Sequence, residues 1–197
     1  RSKTPELLRS FIPFTPEKIR KARQDTIEKQ IPLTVEEFKH LARYHNDSYP
    51  YELIEHEIFN SFLDAKNDIK RIVGSHLGAE FFYKCFIFKN DADAHISVIY
   101  LHFEAGCYHL FFLDSLGIGG KYERTDLEEM RNGLRKYSNV IFYAVKPKRQ
   151  NDNFSCGLFS LNDLRTISRI INLKEKNLKE VLLSGRFSES ELGFVLI

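Results

Sequence analysis

The stretch Gln150-Asn151-Asp152-Asn153-Phe154-Ser155-Cys156-Gly157-Leu158-Phe159-Ser160 joins a polar loop, a cysteine and an amphipathic run in that order. Leu158, Phe159, Leu161, Leu164, Ile167, Ile170 and Ile171 recur at helical spacing, with no Pro or Gly after Gly157. The spacing predicts a helix whose first turn starts at or just after Cys156. A thiol placed there meets backbone N–H groups that lack intrahelical acceptors, and the positive end of the macrodipole; both favour the thiolate. The chemistry that suits such a group is nucleophilic attack on a carbonyl carbon. A free cysteine can also be a small buried apolar residue, so the assignment depends on a base, an orienting group and oxyanion donors elsewhere in the chain.

A hairpin offers the base and the orienting group. His95 to Phe103 and Tyr108 to Leu113 read as strands around Glu104-Ala105-Gly106-Cys107. A two-residue or a four-residue loop gives one register, with Phe103 opposite Tyr108 and Ser97 opposite Asp114. His95 then lies on the Asp114 face, diagonal to it. Diagonal neighbours are roughly 7–8 Å apart, within reach of an imidazole and a carboxylate that lean together. A bulge would reverse this facing. Gln150 begins the loop before Cys156, where its amide, with the Cys156 N–H, can point at an oxyanion. The plainer readings are a strand-end cap for His95, a turn starter for Asp114 and a solvated loop residue for Gln150.

The ordered set His95, Asp114, Gln150 and Cys156, with Cys-Gly opening a helix, resembles the clan CE cysteine peptidases. That clan includes the SUMO and ubiquitin-like-protein proteases, the adenoviral protease and bacterial deubiquitinases delivered into host cells. The resemblance spans roughly Phe81 to Asn172. It implies an α+β, papain-like/ubiquitin-like-protease fold: a central mixed sheet packed on a cysteine-bearing helix, with a helical N-terminal region. It further implies Cys156 as nucleophile, His95 as base, Asp114 as orienting group and Gln150 as oxyanion donor. The bond attacked is the isopeptide or peptide bond after a Gly-Gly tail held in a narrow channel. Relatives commonly place Trp after the histidine, as a channel wall, and Asp before the nucleophile; this chain has Ile96 and Ser155 there, and no Trp. Ile96, Asn153, Ser155 and Gly117, the last as a flexible rim beside Asp114, are the expected substrate-binding positions.

His95 to Ile99 and Ser155 to Leu161 are also similar to the YopJ-type effector acetyltransferases of the same clan. These carry an acetyl group from acetyl-CoA to Ser, Thr or Lys. They usually have Glu as third residue, and they need an inositol hexakisphosphate site and a long segment after the cysteine helix. With Asp114 as third residue and 41 residues after Cys156, the first expectation is a deubiquitinase-type cysteine isopeptidase. The acetyltransferase is the second, and a non-catalytic reader of ubiquitin-like modifiers the third.

These residues need elements to position them. Thr15-Pro16-Glu17 predicts a basic helix to about Lys29, with Lys18, Arg20, Lys21 and Arg23 on a solvated face. Thr34-Val35-Glu36-Glu37 is a capping box. After Tyr49-Pro50 a third helix is expected to carry Leu53, Ile54, Ile58, Phe59, Phe62 and Leu63, with Ile69, Ile72 and Val73 adding turns before a break at Gly74 to Gly78. Strands follow at Phe82 to Phe88 and Val140 to Val145. Between them, Thr125-Asp126-Leu127-Glu128 reads as a second capping box, opening a helix with Leu127, Met130, Leu134 and Tyr137 inward. A polar helix near Leu173 to Leu183 and an apolar tail, Phe194 to Ile197, complete the chain. Residues 1–78 are expected to form the helical substrate-recognition region and residues 79–197 the catalytic core.

Composition limits the alternatives. The 197 residues include 17 Phe and carry a net charge of +2, which suits a packed core and gives no reason to expect nucleic acid. No apolar run reaches membrane-spanning length. Three scattered cysteines make neither a disulfide framework nor a paired zinc motif. His102, His109 and Cys107 meet across the hairpin but read as packed strand residues, so no metal and no cofactor is expected. The expected partner is ubiquitin or a ubiquitin-like protein, bound by a monomer. The expected location is a reducing one, the cytoplasm, or that of a host cell if the chain is a secreted bacterial effector.

Overall fold

The computed structural model describes residues 16–75, 81–90, 93–172 and 193–197. Two helices come first, α1 (Pro16–Glu28) and α2 (Val35–Ser48), then strand β1 (His56–Phe59) and helix α3 (Phe62–Ser75). Strands β2 (Phe81–Lys89), β3 (Ile96–Glu104) and β4 (Cys107–Leu113) precede α4 (Arg124–Arg135) and β5 (Asn139–Val145). The cysteine helix is α5 (Cys156–Asn172), and β6 (Phe194–Leu196) closes the order. The six strands lie in one sheet in sequence order; β1/β2 and β4/β5 are parallel and the other pairs antiparallel. This is the mixed α+β architecture expected, a sheet covered on both faces.

The period-2 alternation of the central strands divides the core. Ile96, Val98 and Tyr100 of β3 face one cluster, with Phe38 and Leu41 of α2 and Leu161, Leu164 and Ile167 of α5. Ile99 and Leu101 face the other, with Ile69 and Val73 of α3 and Leu127 and Leu134 of α4. With apolar residues on both sides, the strands read as continuous hydrophobic runs. Burying each such side chain contributes about 1.5–3 kcal/mol, which seats α5 on β3.

Two local expectations change. The third helix does not start after Pro50. The amide of Leu53 donates to Asn46 Oδ1 at 2.8 Å and that of Ile54 to Ser168 Oγ at 3.0 Å, and Ile58 and Phe59 pair with Ile87 and Phe88 as strand β1. Tertiary pairing overrides the local period here, so the N-terminal region supplies an edge strand as well as helices. The second capping box lies earlier: the N-cap is Glu123, whose N–H donates to the Asp126 carboxylate at 2.9 Å. The box at Thr34 forms as read, with both reciprocal bonds at 3.1 Å. Thr15 and the helix expected near Leu173 to Leu183 lie outside the described residues.

Candidate active site

The β3–β4 hairpin turns at Ala105 and Gly106, both at positive φ (50° and 74°). This two-residue turn matches the twist of the flanking strands and sets Phe103 opposite Tyr108 and Val98 opposite Leu113. His95 and Asp114 therefore emerge together just beyond the paired strands. Nε2 of His95 lies 3.0 and 2.9 Å from the two Asp114 carboxylate oxygens. That carboxylate also accepts the Ser97 hydroxyl at 2.5 Å and the Leu116 N–H at 2.8 Å. With Nε2 facing Asp114, Nδ1 is the ring nitrogen left to face Cys156, which acts with Asp114 to favour the imidazolium. Burial works against a charge on His95, but the bonds to Asp114 and Cys156 outweigh it, and its pKa is pushed up to about 9.

The sulfur is brought to this ring by α5. Ser155 C=O accepts from Phe159 N–H at 3.1 Å, so the helix opens at Cys156 with first-turn N–H groups beside the thiol. Ser160 Oγ donates to Ile96 C=O at 2.9 Å, tying the first turns of α5 to the strand residue after His95. Gly157 makes that seating possible: a Cβ there would lie 2.9 Å from the Leu33 side chain. The thiol itself sits 3.8 Å from Ala94 C=O. Upstream of His95, Asp93 accepts the His95 N–H at 2.8 Å and pairs with Lys121.

The loop before the nucleophile is organised by Asp152. Its Oδ1 accepts the N–H groups of Phe154 and Ser155, and both carboxylate oxygens accept Ser155 Oγ. These donors outweigh partial burial and hold the Asp152 carboxyl below its usual range. Gln150 is drawn into the same hub. Its Nε2 donates to Asp152 C=O at 2.9 Å and lies 3.2 Å from Asp152 Oδ1, while its Oε1 accepts Ser115 Oγ at 2.6 Å. An oxyanion can use this carboxamide only if Asp152 yields one of its N–H bonds.

The structure thus brings Cys156, His95 and Asp114 together and engages Gln150 within its own loop. All four are buried, at 2%, 5%, 1% and 2% exposure respectively, so a substrate must displace part of the cover to reach the sulfur. The four expected substrate-binding positions fare differently. Asn153 is exposed and Ser155 half-buried, on the loop beside the thiol. Ile96 is a core residue beneath α5, because strand alternation turns it inward. Gly117 is not a flexible rim either. It is buried at φ 70°, and a Cβ would lie 2.5 Å from Lys146 C=O, so its role is close approach of two backbone segments.

Sequence reading missed several supports. Ser97 served only as a register mark, although its place two residues past His95 on one face puts its hydroxyl on the same carboxylate. Asp152, three residues before Ser155, is the kind of residue that caps its own following amides. Arg149 and Asp163 form a buried bidentate pair at 2.7 and 2.8 Å, and no local signal joins them. The amides of Arg149 and Gln150 both donate to Ser115 C=O at 2.8 Å, lacing the two site loops together. Among the described residues no group of histidine, cysteine and carboxylate side chains is placed to hold a metal ion, and no helix is long and apolar enough to cross a membrane.

This arrangement of sheet, hairpin and cysteine helix shares its fold with a solved structure of AvrA. A deletion variant of AvrA, solved with inositol hexakisphosphate and coenzyme A, matches 94% of this chain over 70% of its own length, with a TM-score of 0.58 at 16% identity. HopZ1a in complex with inositol hexakisphosphate matches 87% of the chain over 58% of its own length, with a TM-score of 0.49 at 12% identity. A protease of ASFV matches 90% of the chain over 83% of its own, with a TM-score of 0.39 at 16% identity. No protein-family model and no curated protein matches the sequence.

Proposed function

We propose that the chain is a thiol-dependent acyl-transfer enzyme, and that its acyl donor is acetyl-CoA. The carrying observation is the array of Cys156, His95 and Asp114 at the opening of α5. In the first step the Cys156 sulfur, its proton taken by His95, attacks the thioester carbonyl. The new S–C bond forms, the bond to coenzyme A breaks, and His95 returns the proton to the departing thiol. In the second step a Ser, Thr or Lys side chain of a protein attacks the acetyl-Cys156 thioester. His95 takes the acceptor's proton as the S–C bond breaks, and passes it back to the sulfur. Asp114 fixes the ring throughout, and the Cys156 N–H and neighbouring first-turn amides face the oxyanion.

Two observations support acetyl transfer over the isopeptidase first expected. Both features meant to shape a Gly-Gly channel, Ile96 and Gly117, are buried. The fold extends across 94% of the chain onto AvrA, a protein solved with coenzyme A. The second reading, a ubiquitin or ubiquitin-like isopeptidase, is favoured by the triad itself: water in place of the acceptor side chain makes the same array a hydrolase. In either case residues 1–78 would contribute to recognising the acceptor protein, and the acceptor would belong to a host cell reached by secretion. Arg149 is tied to Asp163 and so is not held out for a polyanion.

The test uses the full chain with labelled acetyl-CoA, with and without inositol hexakisphosphate, alongside ubiquitin, SUMO and NEDD8 probes carrying C-terminal electrophiles. Acetyl transfer to the chain or an acceptor, lost in Cys156→Ala, supports the first reading. Probe labelling lost in the same variant, without acetyl transfer, supports the second. Modifier binding that survives Cys156→Ala with neither activity would leave a non-catalytic reader.

A further inference from the structure

Ser97 sits where the pattern of its own strand calls for an apolar residue. It is fully buried, and by strand alternation it shares a face of β3 with Ile99 and Leu101, which pack in the cluster of Ile69 and Leu127. Across the ladder it stands opposite Phe88. A hydroxyl in such a place is costly unless it is hydrogen-bonded. Ser97 Oγ donates at 2.5 Å to Oδ2 of Asp114.

That bond completes a clamp. Asp114 is itself 1% exposed. Its Oδ1 accepts the Leu116 N–H at 2.8 Å, within the turn that follows β4, while Oδ2 accepts Ser97 from the neighbouring strand. His95 Nε2 lies 3.0 and 2.9 Å from the two oxygens. One donor on each oxygen leaves the carboxylate a single orientation, the one that straddles the ring nitrogen. Leu116 alone would let the group pivot about Oδ1. The same hydroxyl competes with the ring for the negative charge on Oδ2. The other charged or ionisable groups around the pair are Asp93 with Lys121, Cys156, and Arg149 with Asp163; all remain when Ser97 is changed.

We propose that Ser97 is a positioning residue of the thiol site, whose hydroxyl holds the Asp114 carboxylate square to His95 and limits how tightly that carboxylate grips the imidazolium. This role rests on the array of Cys156, His95 and Asp114 proposed above, but not on the identity of the acyl donor. Losing the hydroxyl has two consequences. The carboxylate, short of a donor, holds the ring proton more strongly, so the His95 titration moves up. The carboxylate also pivots, so the base is aimed less well and turnover falls. A serine that only filled space would not move the titration.

The test follows the His95 imidazole by NMR across pH in the full chain, its resonance assigned by its loss in His95→Ala. Wild type is compared with Ser97→Ala, Ser97→Val and Ser97→Thr, with thermal melts to check that each variant folds. Valine and threonine differ there by a methyl for a hydroxyl, which separates packing from hydrogen bonding. Ser97→Ala and Ser97→Val should raise the midpoint by about 0.5–1 pH unit from its wild-type value of about 9. Ser97→Thr should keep it at the wild-type value whatever its melting temperature. Acyl turnover at neutral pH should fall about tenfold in the first two and recover in the third. Asp114→Asn, which should lower the midpoint, is the control for the array. If it does so while Ser97→Ala leaves the midpoint in place, or if the Val and Thr variants move it alike, Ser97 is a packing residue and the proposal fails. A midpoint that Asp114→Asn also leaves unmoved would bring down the array, and the role of Ser97 with it.

Discussion

At the scale of the residue, the decisive group is His95. Two partners hold its pKa near 9 against burial, so the imidazolium persists above neutrality. Its folded pKa exceeds the ordinary 6.5. The stability it contributes is therefore full below pH 6.5 and is lost as pH rises through about 9. Thermal melting should fall across that window in wild type and stay flatter in His95→Ala. The same group sets the alkaline limb of activity. Asp114→Asn removes a cause that raises the pKa, so the limb should move from about 9 toward neutrality in a kcat/KM profile, with activity down roughly 10²–10⁴-fold. An unmoved limb would mean that Asp114 does not act on the ring.

At the scale of the element, two conformational details carry predictions. Ala105 is a non-glycine residue at φ 50°. Ala105→Gly should thus stabilise the hairpin by up to about 1 kcal/mol, read as a higher denaturant midpoint with unchanged slope. Gly157→Ala should destabilise by about 1–3 kcal/mol, because its Cβ meets Leu33 across the opening turn of α5, and it should slow alkylation of Cys156 by shifting that turn.

Both elements were largely legible in the sequence. The hairpin register followed from the short turn at Ala105 and Gly106, and with it the meeting of His95 with Asp114; the α5 start followed from apolar periodicity that begins after a polar loop. What escaped was set by distant contacts. Strand β1 looked helical because Ile58 and Phe59 fit the local period, and only pairing with β2 made them a strand. Gly117 read as loose because its sequence neighbours are glycines, yet the Lys146 carbonyl that confines it lies far along the chain. The Gln150 carboxamide read as an oxyanion donor because nothing local shows that Asp152 engages it.

At the scale of the molecule, the site is a junction between loops held by one buried ion pair. Arg149 and Asp163 are 4% and 3% exposed at their side chains, and burial pushes the Asp163 carboxyl up while Arg149 draws it down. Arg149→Met alone strands that carboxylate and should destabilise by about 3–5 kcal/mol, whereas Arg149→Met with Asp163→Leu should recover most of the loss. Chemical unfolding of the single and double variants reads this directly. Recovery of stability without recovery of activity would show that the pair positions the loop of Gln150 and Asp152 beyond supporting the core.

The pairing of His95 with the Cys156 sulfur is tested most directly by the rate of iodoacetamide alkylation of each cysteine across pH, resolved by peptide mass. Cys156 should react faster than Cys85 and Cys107 at pH 6, and His95→Ala should remove that advantage. Equal rates at Cys156 in wild type and His95→Ala would contradict the pairing and the acyl chemistry built on it.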